Sequence, residues 1–93
     1  MLTLDSSLRI PDTILFTTVD EEAVLLNTRT NHYFSLGEVG ARVWSLLNEG
    51  KTFREVYQTL LEEFEVEAVQ LERDLLELTE QLMEYGLVET SAG

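Results

Sequence analysis

The sequence contains no cysteine, and this absence excludes several kinds of site. Without thiols the chain cannot form a disulfide scaffold, a thiolate metal site or a cysteine nucleophile. This composition is compatible with a reducing compartment, and we expect a cytoplasmic protein. The first residues, Met1 to Asp5, lack a basic region followed by an apolar run, so no signal peptide is predicted. Apolar runs are only a few residues long, too short to cross a bilayer.

Basic residues are also scarce. Six Lys and Arg face eighteen Asp and Glu, which gives a formal net charge of −12. Binding to nucleic acid needs Lys and Arg to displace the counterions of the phosphate backbone, so this balance disfavours it. Anionic membrane surfaces are disfavoured for the same reason. A basic or apolar partner is easier to accommodate.

The chain has 93 residues, of which 44% are hydrophobic. This is enough for one domain with a modest core, but it leaves little room for a buried catalytic pocket.

The first third of the chain favours β-strands. Three segments rich in β-branched, aromatic or aliphatic residues are separated by polar turns, and we place the strands at Ile14 to Val19, Ala23 to Leu26, and His32 to Leu36. Short strands joined by tight turns predict an antiparallel meander. Pro11, the only proline, precedes the sheet and is expected in a loop or at the sheet edge.

From Glu38 the apolar period becomes helical, and Gly50 is expected to stop this first helix. Thr52 and Glu55 form a capping-box pattern that predicts the start of a second helix. A third helix is predicted roughly over 67–85, with frayed residues at 89–93. Three strands followed by three helices indicate an α+β domain whose helices pack on one side or end of the sheet.

The third helix has more apolar surface than a simple core contact needs. One stripe suffices to dock it, and it comprises Leu71, Leu75, Leu78 and Leu82. A second, offset strip consists of Leu76, Thr79 and Met83. Either the helix is wedged deep and buries both strips, or the second strip is the open wall of a groove. Met suits such a wall because it repacks around varied shapes.

The third strand is the candidate for the opposite wall. Alternation puts His32, Phe34 and Leu36 on one face, and Tyr33 and Ser35 on the other. If this strand lies at the sheet edge, its spare amides and carbonyls can pair with an extended peptide.

Several short stretches in a fixed order resemble one family. They are Val24-Leu25-Leu26-Asn27, Tyr33-Phe34-Ser35-Leu36, Gly40-Ala41-Arg42-Val43-Trp44, Gly50-Lys51-Thr52, Asp74-Leu75 with Leu82, and Tyr85-Gly86-Leu87-Val88. Together they resemble the PqqD-like family, the peptide chaperones of pyrroloquinoline quinone biosynthesis and the related recognition elements of ribosomal peptide pathways. The resemblance covers residues 13 to 89, so we treat 1–93 as a single domain with this core.

The resemblance implies a winged-helix-like domain that binds a leader peptide as an added strand between its third strand and third helix. The positions that match this cleft are Asn31, His32, Tyr33, Phe34, Ser35, Leu36, Asp74, Leu75, Leu76, Leu78, Thr79 and Met83. Tyr33 is expected at the rim, and Asp74 is expected to take a polar or basic leader residue. No catalytic residue and no cofactor are implied.

The branch of the family is suggested by Leu36-Gly37, where many quinone-pathway members have Leu-Asn. With Gly40 to Trp44, the chain looks more like the free-standing leader-binding proteins of lasso peptide clusters. The implied partners are a lasso precursor, a leader peptidase and a macrolactam-forming cyclase. Two alternatives stay open: a chaperone that delivers a precursor to a radical SAM enzyme, and a non-catalytic scaffolding or dimerisation subunit.

Other chemistry has little support in the sequence. His32 is the only histidine, and its strand neighbours Asn31 and Tyr33 are not typical metal ligands, so a packed or exposed histidine is the favoured interpretation. No serine lies in a nucleophile-elbow context, and no glycine-rich phosphate loop exists. A DNA-binding winged helix shares the architecture, but its third helix would carry a single basic residue, Arg73, among six acidic ones.

Overall fold

The three predicted strands are present and form one antiparallel sheet. The computed structural model describes residues 2–90. In that range a two-residue strand, β1 (Leu8–Arg9), precedes the sheet strands β2 (Ile14–Val19), β3 (Glu22–Asn27) and β4 (His32–Leu36). The sheet order is β2-β3-β4, so β3 is central and β4 is an edge strand. Pro11 lies in the loop between β1 and β2, as expected.

The helices follow as α1 (Glu38–Asn48), α2 (Phe53–Glu63) and α3 (Ala68–Glu84). The capping box is confirmed: the Glu55 N–H donates to Thr52 Oγ1 at 3.1 Å, and the Thr52 N–H donates to the Glu55 carboxylate at 2.8 Å. Gly50 and Gly86 have φ of +92° and +72°, and the left-handed backbone they adopt ends α1 and α3. The predicted α+β class, with a sheet before three helices, is therefore confirmed.

The end of the described chain differs from the sequence prediction. Glu89–Thr90 was expected to fray, but it forms a strand, β5, that pairs with Leu8–Arg9 in an antiparallel two-stranded sheet. An Arg9–Glu89 ion pair spans these two strands. A pairing between residues eighty positions apart leaves no local pattern, so short-range sequence reasoning does not detect it. The rest of the predicted frayed segment, 91–93, lies outside the described residues.

The core has two adjoining parts. One joins the helices and contains Leu4, Val43, Leu46, Phe53, Val56, Leu60, Leu71 and Leu75. The other joins the sheet to α1 and the end of α3, and it contains Ile14, Ala23, Leu25, Leu36, Trp44, Leu82, Leu87 and Val88. Half-buried Leu78 packs against both parts. Trp44 is core, as expected, and its ring meets Phe16 edge-on at 6.0 Å between centroids.

The helices cover one face of the sheet only. On that inner face Ala23, Leu25 and Leu36 are buried. On the outer face Leu15, Val19 and Tyr33 are exposed, with Tyr33 at 72%. The register places Leu15 opposite Leu26 and Leu26 opposite Tyr33, so an apolar row crosses all three strands on the uncovered side.

A buried amide fixes the sheet to the end of α3. Asn27, at the end of β3, is only 5% exposed, and its Nδ2 donates to the Tyr85 carbonyl at 3.1 Å. Its Oδ1 accepts from the Arg29 N–H at 3.0 Å, which shapes the β3–β4 turn. One side chain therefore satisfies two backbone groups in separate parts of the chain.

We expect Asn27→Ala to lower the free energy of unfolding by about 1–3 kcal/mol, because the Tyr85 carbonyl and the Arg29 amide both lose their partner. Urea denaturation followed by circular dichroism measures this. Asn48→Ala is the control, since Asn48 is exposed at the end of α1 and its loss is expected to cost less than about 0.5 kcal/mol. Equal effects of the two substitutions would contradict the role given to Asn27.

Candidate functional site

Among residues 2–90, no strand pairs with the outer edge of β4, so the backbone of β4 has unused hydrogen-bonding groups there. The Thr28 N–H donates to the Thr13 carbonyl at 3.0 Å, and these residues extend the β2–β3 register by one position. Alternate residues of an antiparallel strand bond to opposite sides, so Asn27, Leu25 and Ala23 bond toward β4. Their register partners are His32, Phe34 and Leu36. The amides and carbonyls of Tyr33 and Ser35 therefore point to the open edge.

A groove of about 460 Å³ lies beside this edge. Residues from β4, the start of α1 and one flank of α3 line it, together with Val66 just before α3. They are Phe34, Ser35, Leu36, Gly37, Val39, Gly40, Val66, Leu71, Asp74, Leu75, Leu78 and Gln81. Its size falls in the usual range for ligand sites, and its walls are mainly apolar.

Close packing at the start of α1 shapes the floor. A Cβ at Gly40 would lie 3.2 Å from both Cβ and Cδ2 of Leu36, so a larger residue here would require the Leu36 side chain to shift. At Gly37, by contrast, an added Cβ would meet nothing within 4 Å, which is open space at the groove. Leu36 is buried in the core, whereas the adjacent Gly37 is exposed.

The groove brings together half of the predicted site residues. Six of the twelve predicted positions line it: Phe34, Ser35, Leu36, Asp74, Leu75 and Leu78. His32 and Tyr33 belong to the same strand, and Asn31 immediately precedes it with φ of +61°. Tyr33 was expected at the rim, but its side chain lies on the outer face of the sheet. It contributes its backbone to the edge instead.

The remaining three predicted residues do not line this groove. Leu76 and Met83 are half-buried and pack against the two core parts, on a flank of α3 about 160° round the helix from Asp74. Thr79 is fully buried. The helix is rotated so that Leu75, Thr79 and Leu82 face the core, which exposes the Asp74–Gln81 flank to the groove rather than the second apolar strip.

Six lining residues were not predicted: Gly37, Val39, Gly40, Val66, Leu71 and Gln81. Val39, the second residue of α1, is 42% exposed. A sequence signal did exist at Val39 and Val66, since each is an apolar residue beside a helix start where the core stripe does not require one. Leu71 belongs to the predicted docking stripe of α3, and the two glycines and Gln81 carry no such signal.

No group of three or more His, Asp or Glu in residues 2–90 is arranged to hold a metal ion. No helix within that range is long and apolar enough to span a membrane. His32 is exposed on the edge strand.

Comparison with known proteins identifies the family. The family model for coenzyme PQQ synthesis protein D (PqqD) matches residues 22–88, and the chain belongs to this family. No curated protein gives a significant sequence match.

Two solved structures carry the comparison further. The structure of TbiB1 in complex with the TbiA(beta) leader peptide is 38% identical, with a TM-score of 0.86 over 91% of this chain and 99% of that one. A lasso peptide synthetase B1 complexed with its leader peptide is 31% identical, with a TM-score of 0.80 over 89% of this chain and 98% of that one.

The free edge of β4 makes a prediction for amide hydrogen exchange. In the unliganded protein we expect the Tyr33 and Ser35 amides to exchange fast, and the Phe34 and Leu36 amides to be protected, because only the latter bond to β3. Two-dimensional NMR of the labelled protein measures all four. Uniform protection along the strand would mean that something already covers the edge, such as a second copy of the chain.

Thr79 provides a separate test of which α3 flank is internal. Its Oγ1 is buried and has no hydrogen-bond partner within residues 2–90. We therefore expect Thr79→Val to stabilise the fold by roughly 1 kcal/mol, since it removes an unpaired polar atom at nearly constant volume. Thermal denaturation measures this. A clear loss of stability would show that the hydroxyl has a partner, such as a buried water.

Proposed function

We propose that this protein binds the leader segment of a ribosomally made precursor peptide, by adding it as a strand to β4, and presents it for lasso peptide biosynthesis. The observation that carries the proposal is the unpaired edge of β4 beside an apolar groove walled by α3. The two leader-peptide complexes with similar folds support the ligand class and the lasso branch.

The geometry of strand addition assigns roles to the two faces of the leader. In an antiparallel pair, directly opposed residues share a face of the sheet. A leader residue opposite Phe34 or Leu36 therefore faces α3 and the groove, whereas residues opposite Tyr33 and Ser35 bond to the edge and face outward. Backbone bonds give affinity that depends little on sequence, and the groove selects alternate side chains.

The protein then acts as an adaptor without catalysis of its own. We propose that a leader peptidase and a macrolactam-forming cyclase in the cytoplasm receive the bound precursor. In support, the part of the chain that the structure describes presents an open groove beside β4. Delivery to a radical SAM enzyme, the alternative of the quinone branch, has less support because both similar structures are described as leader complexes and one as a lasso peptide synthetase.

The direct experiment is a fluorescence-polarisation titration. The labelled probes are the TbiA(beta) leader peptide and the leaders encoded by short reading frames beside the gene for this protein. We expect saturable binding of at least one probe, without added metal or nucleotide. On binding, the Tyr33 and Ser35 amides should become protected from exchange. The absence of binding by every probe to the folded protein would overturn the proposal.

A pair of valines allows a matched test of the groove. Val39 and Val69 are each the second residue of a helix and each is exposed, but only Val39 lines the groove. We expect Val39→Asn to weaken leader binding by about 1–3 kcal/mol, because it places an amide against the apolar side of the peptide. Val69→Asn should leave the affinity within about 0.5 kcal/mol. The same titration measures both.

Met83→Lys examines the flank that the sequence alone favoured. Met83 lies outside the groove, so we expect leader binding to persist in this variant. If Met83→Lys abolished binding while Val39→Asn did not, the peptide would occupy the other flank of α3.

Self-association is a second candidate, favoured by the apolar row on the outer sheet face, in which Leu15 and Tyr33 are exposed and Leu26 is half-buried. Light scattering at two protein concentrations distinguishes it from leader binding by a monomer. A dimer that persists on dilution and binds none of the leaders would favour this scaffolding role.

A further inference from the structure

The groove has a single charged side chain among its described lining residues, the carboxylate of Asp74. Asp74 follows Leu71 by three residues and precedes Leu78 by four, so all three lie on neighbouring turns of one helix flank. The Gln70 Nε2 donates to Asp74 Oδ1 at 2.8 Å, which helps to orient the carboxylate. An anionic group therefore stands at the edge of a leucine-lined wall.

Within residues 2–90 no basic side chain lines the groove to neutralise this carboxylate. Three of the six basic residues form ion pairs elsewhere: Arg9 with Glu89, Arg42 with Glu63, and Arg54 with Asp5. In the second pair, hydrogen bonds from the Arg42 guanidinium at 2.7 and 2.8 Å lower the pKa of Glu63.

The other three basic residues lie off the groove. Arg29 is in the β3–β4 turn, and Lys51 is in the loop between α1 and α2. Arg73 precedes Asp74, and one residue of helix turns its side chain about 100° away from that flank. Nearby acidic residues add to the negative potential instead. Glu67 is the N-cap residue of α3, and Glu77 lies less than one turn beyond Asp74.

A leader with an acidic residue at this position would meet repulsion, in a protein that already carries a net charge of −12. A lysine or arginine fits both features of the site. Its alkyl stem can lie along the leucine wall while its charged end reaches the carboxylate. An apolar leader residue would pack against the leucine wall, but it would leave the Asp74 carboxylate without a partner and less hydrated than in the free protein.

Given the proposed leader-binding role, we infer that the leader segment in this groove carries a lysine or arginine on the side of the strand facing α3, and that its charged group pairs with Asp74. The groove thereby selects a cationic leader, rather than any extended apolar peptide.

The test compares two substitutions in α3 that each remove one negative charge. Both variants are titrated with the labelled leader that binds most tightly. Asp74→Asn and Glu80→Gln change the net charge equally, but Glu80 is exposed on the side of α3 away from the groove. We expect Asp74→Asn to raise Kd by about two- to fivefold and Glu80→Gln to change it little. Replacing each leader Lys or Arg by Gln, singly, then identifies the residue whose loss has no further effect in Asp74→Asn.

Salt gives an independent readout. We expect the leader affinity of the natural protein to fall as sodium chloride is raised from low to high concentration, and to fall less in Asp74→Asn, because one screened pair is missing. Asp74→Lys should weaken binding more than Asp74→Asn does. If the leader presented an acidic residue, Asp74→Lys would instead strengthen binding.

The possible outcomes separate this inference from the proposed function. If a leader binds but Asp74→Asn leaves its Kd unchanged or lowers it, the cationic requirement is overturned and strand addition stands. Coupling of a leader cation to Glu80 rather than Asp74 would likewise overturn it. If no leader binds the natural protein, both fall together.

Discussion

The position of α3 relative to the sheet depends on the buried amide of Asn27. Its bond to the Tyr85 carbonyl ties the central strand to the residue that ends α3, and its bond to the Arg29 amide sets the turn into β4. Gly86 makes this contact possible, because any Cβ there would lie 3.2 Å from Asn27 Nδ2 on a backbone with positive φ. The Phe34 and Tyr85 rings, 5.2 Å apart, add a contact between β4 and the same helix end. These few contacts hold the end of α3 against the central strand and β4.

The site has two parts: a strand edge that can pair with any extended peptide backbone, and a groove that selects side chains. Backbone groups at Tyr33 and Ser35 can accept almost any extended chain, since every peptide offers matching amides and carbonyls. The apolar wall and Asp74 restrict which side chains can face α3. This division suits an adaptor, because the leader must be held firmly while the rest of the precursor remains free for other proteins.

Local patterns in the sequence predicted most of the secondary structure. The three sheet strands, the Thr52–Glu55 capping box and the glycine helix stops all follow from interactions within a few residues, and all are present, with β3 one residue longer at each end than predicted. The β1–β5 pair depends on two strands at opposite ends of the chain, so no local pattern announces it. The sequence alone did not determine whether β4 lies at the edge of the sheet. The sheet order places it there.

The groove itself was only partly predictable because helical periodicity gives relative angles, not the direction in which a helix faces. Leu75 and Leu76 are adjacent leucines, yet one is buried and the other only half-buried. Which apolar strip faces β4 depends on how α3 docks against two core parts at once. Leu78, which touches both, lies on the same side of α3 as Asp74.

The small β1–β5 sheet also makes the domain easy to transplant. It holds Leu8–Arg9 against Glu89–Thr90, one strand spacing or about 4.8 Å apart, so the chain between these two strands, residues 10–88, begins and ends at one place on the domain. If the domain were inserted into a surface loop of an enzyme, its two adjacent strands would lie about as close together as the two ends of that loop. A modifying enzyme could therefore carry its own recognition module within a single chain, with no linker long enough to cross the domain.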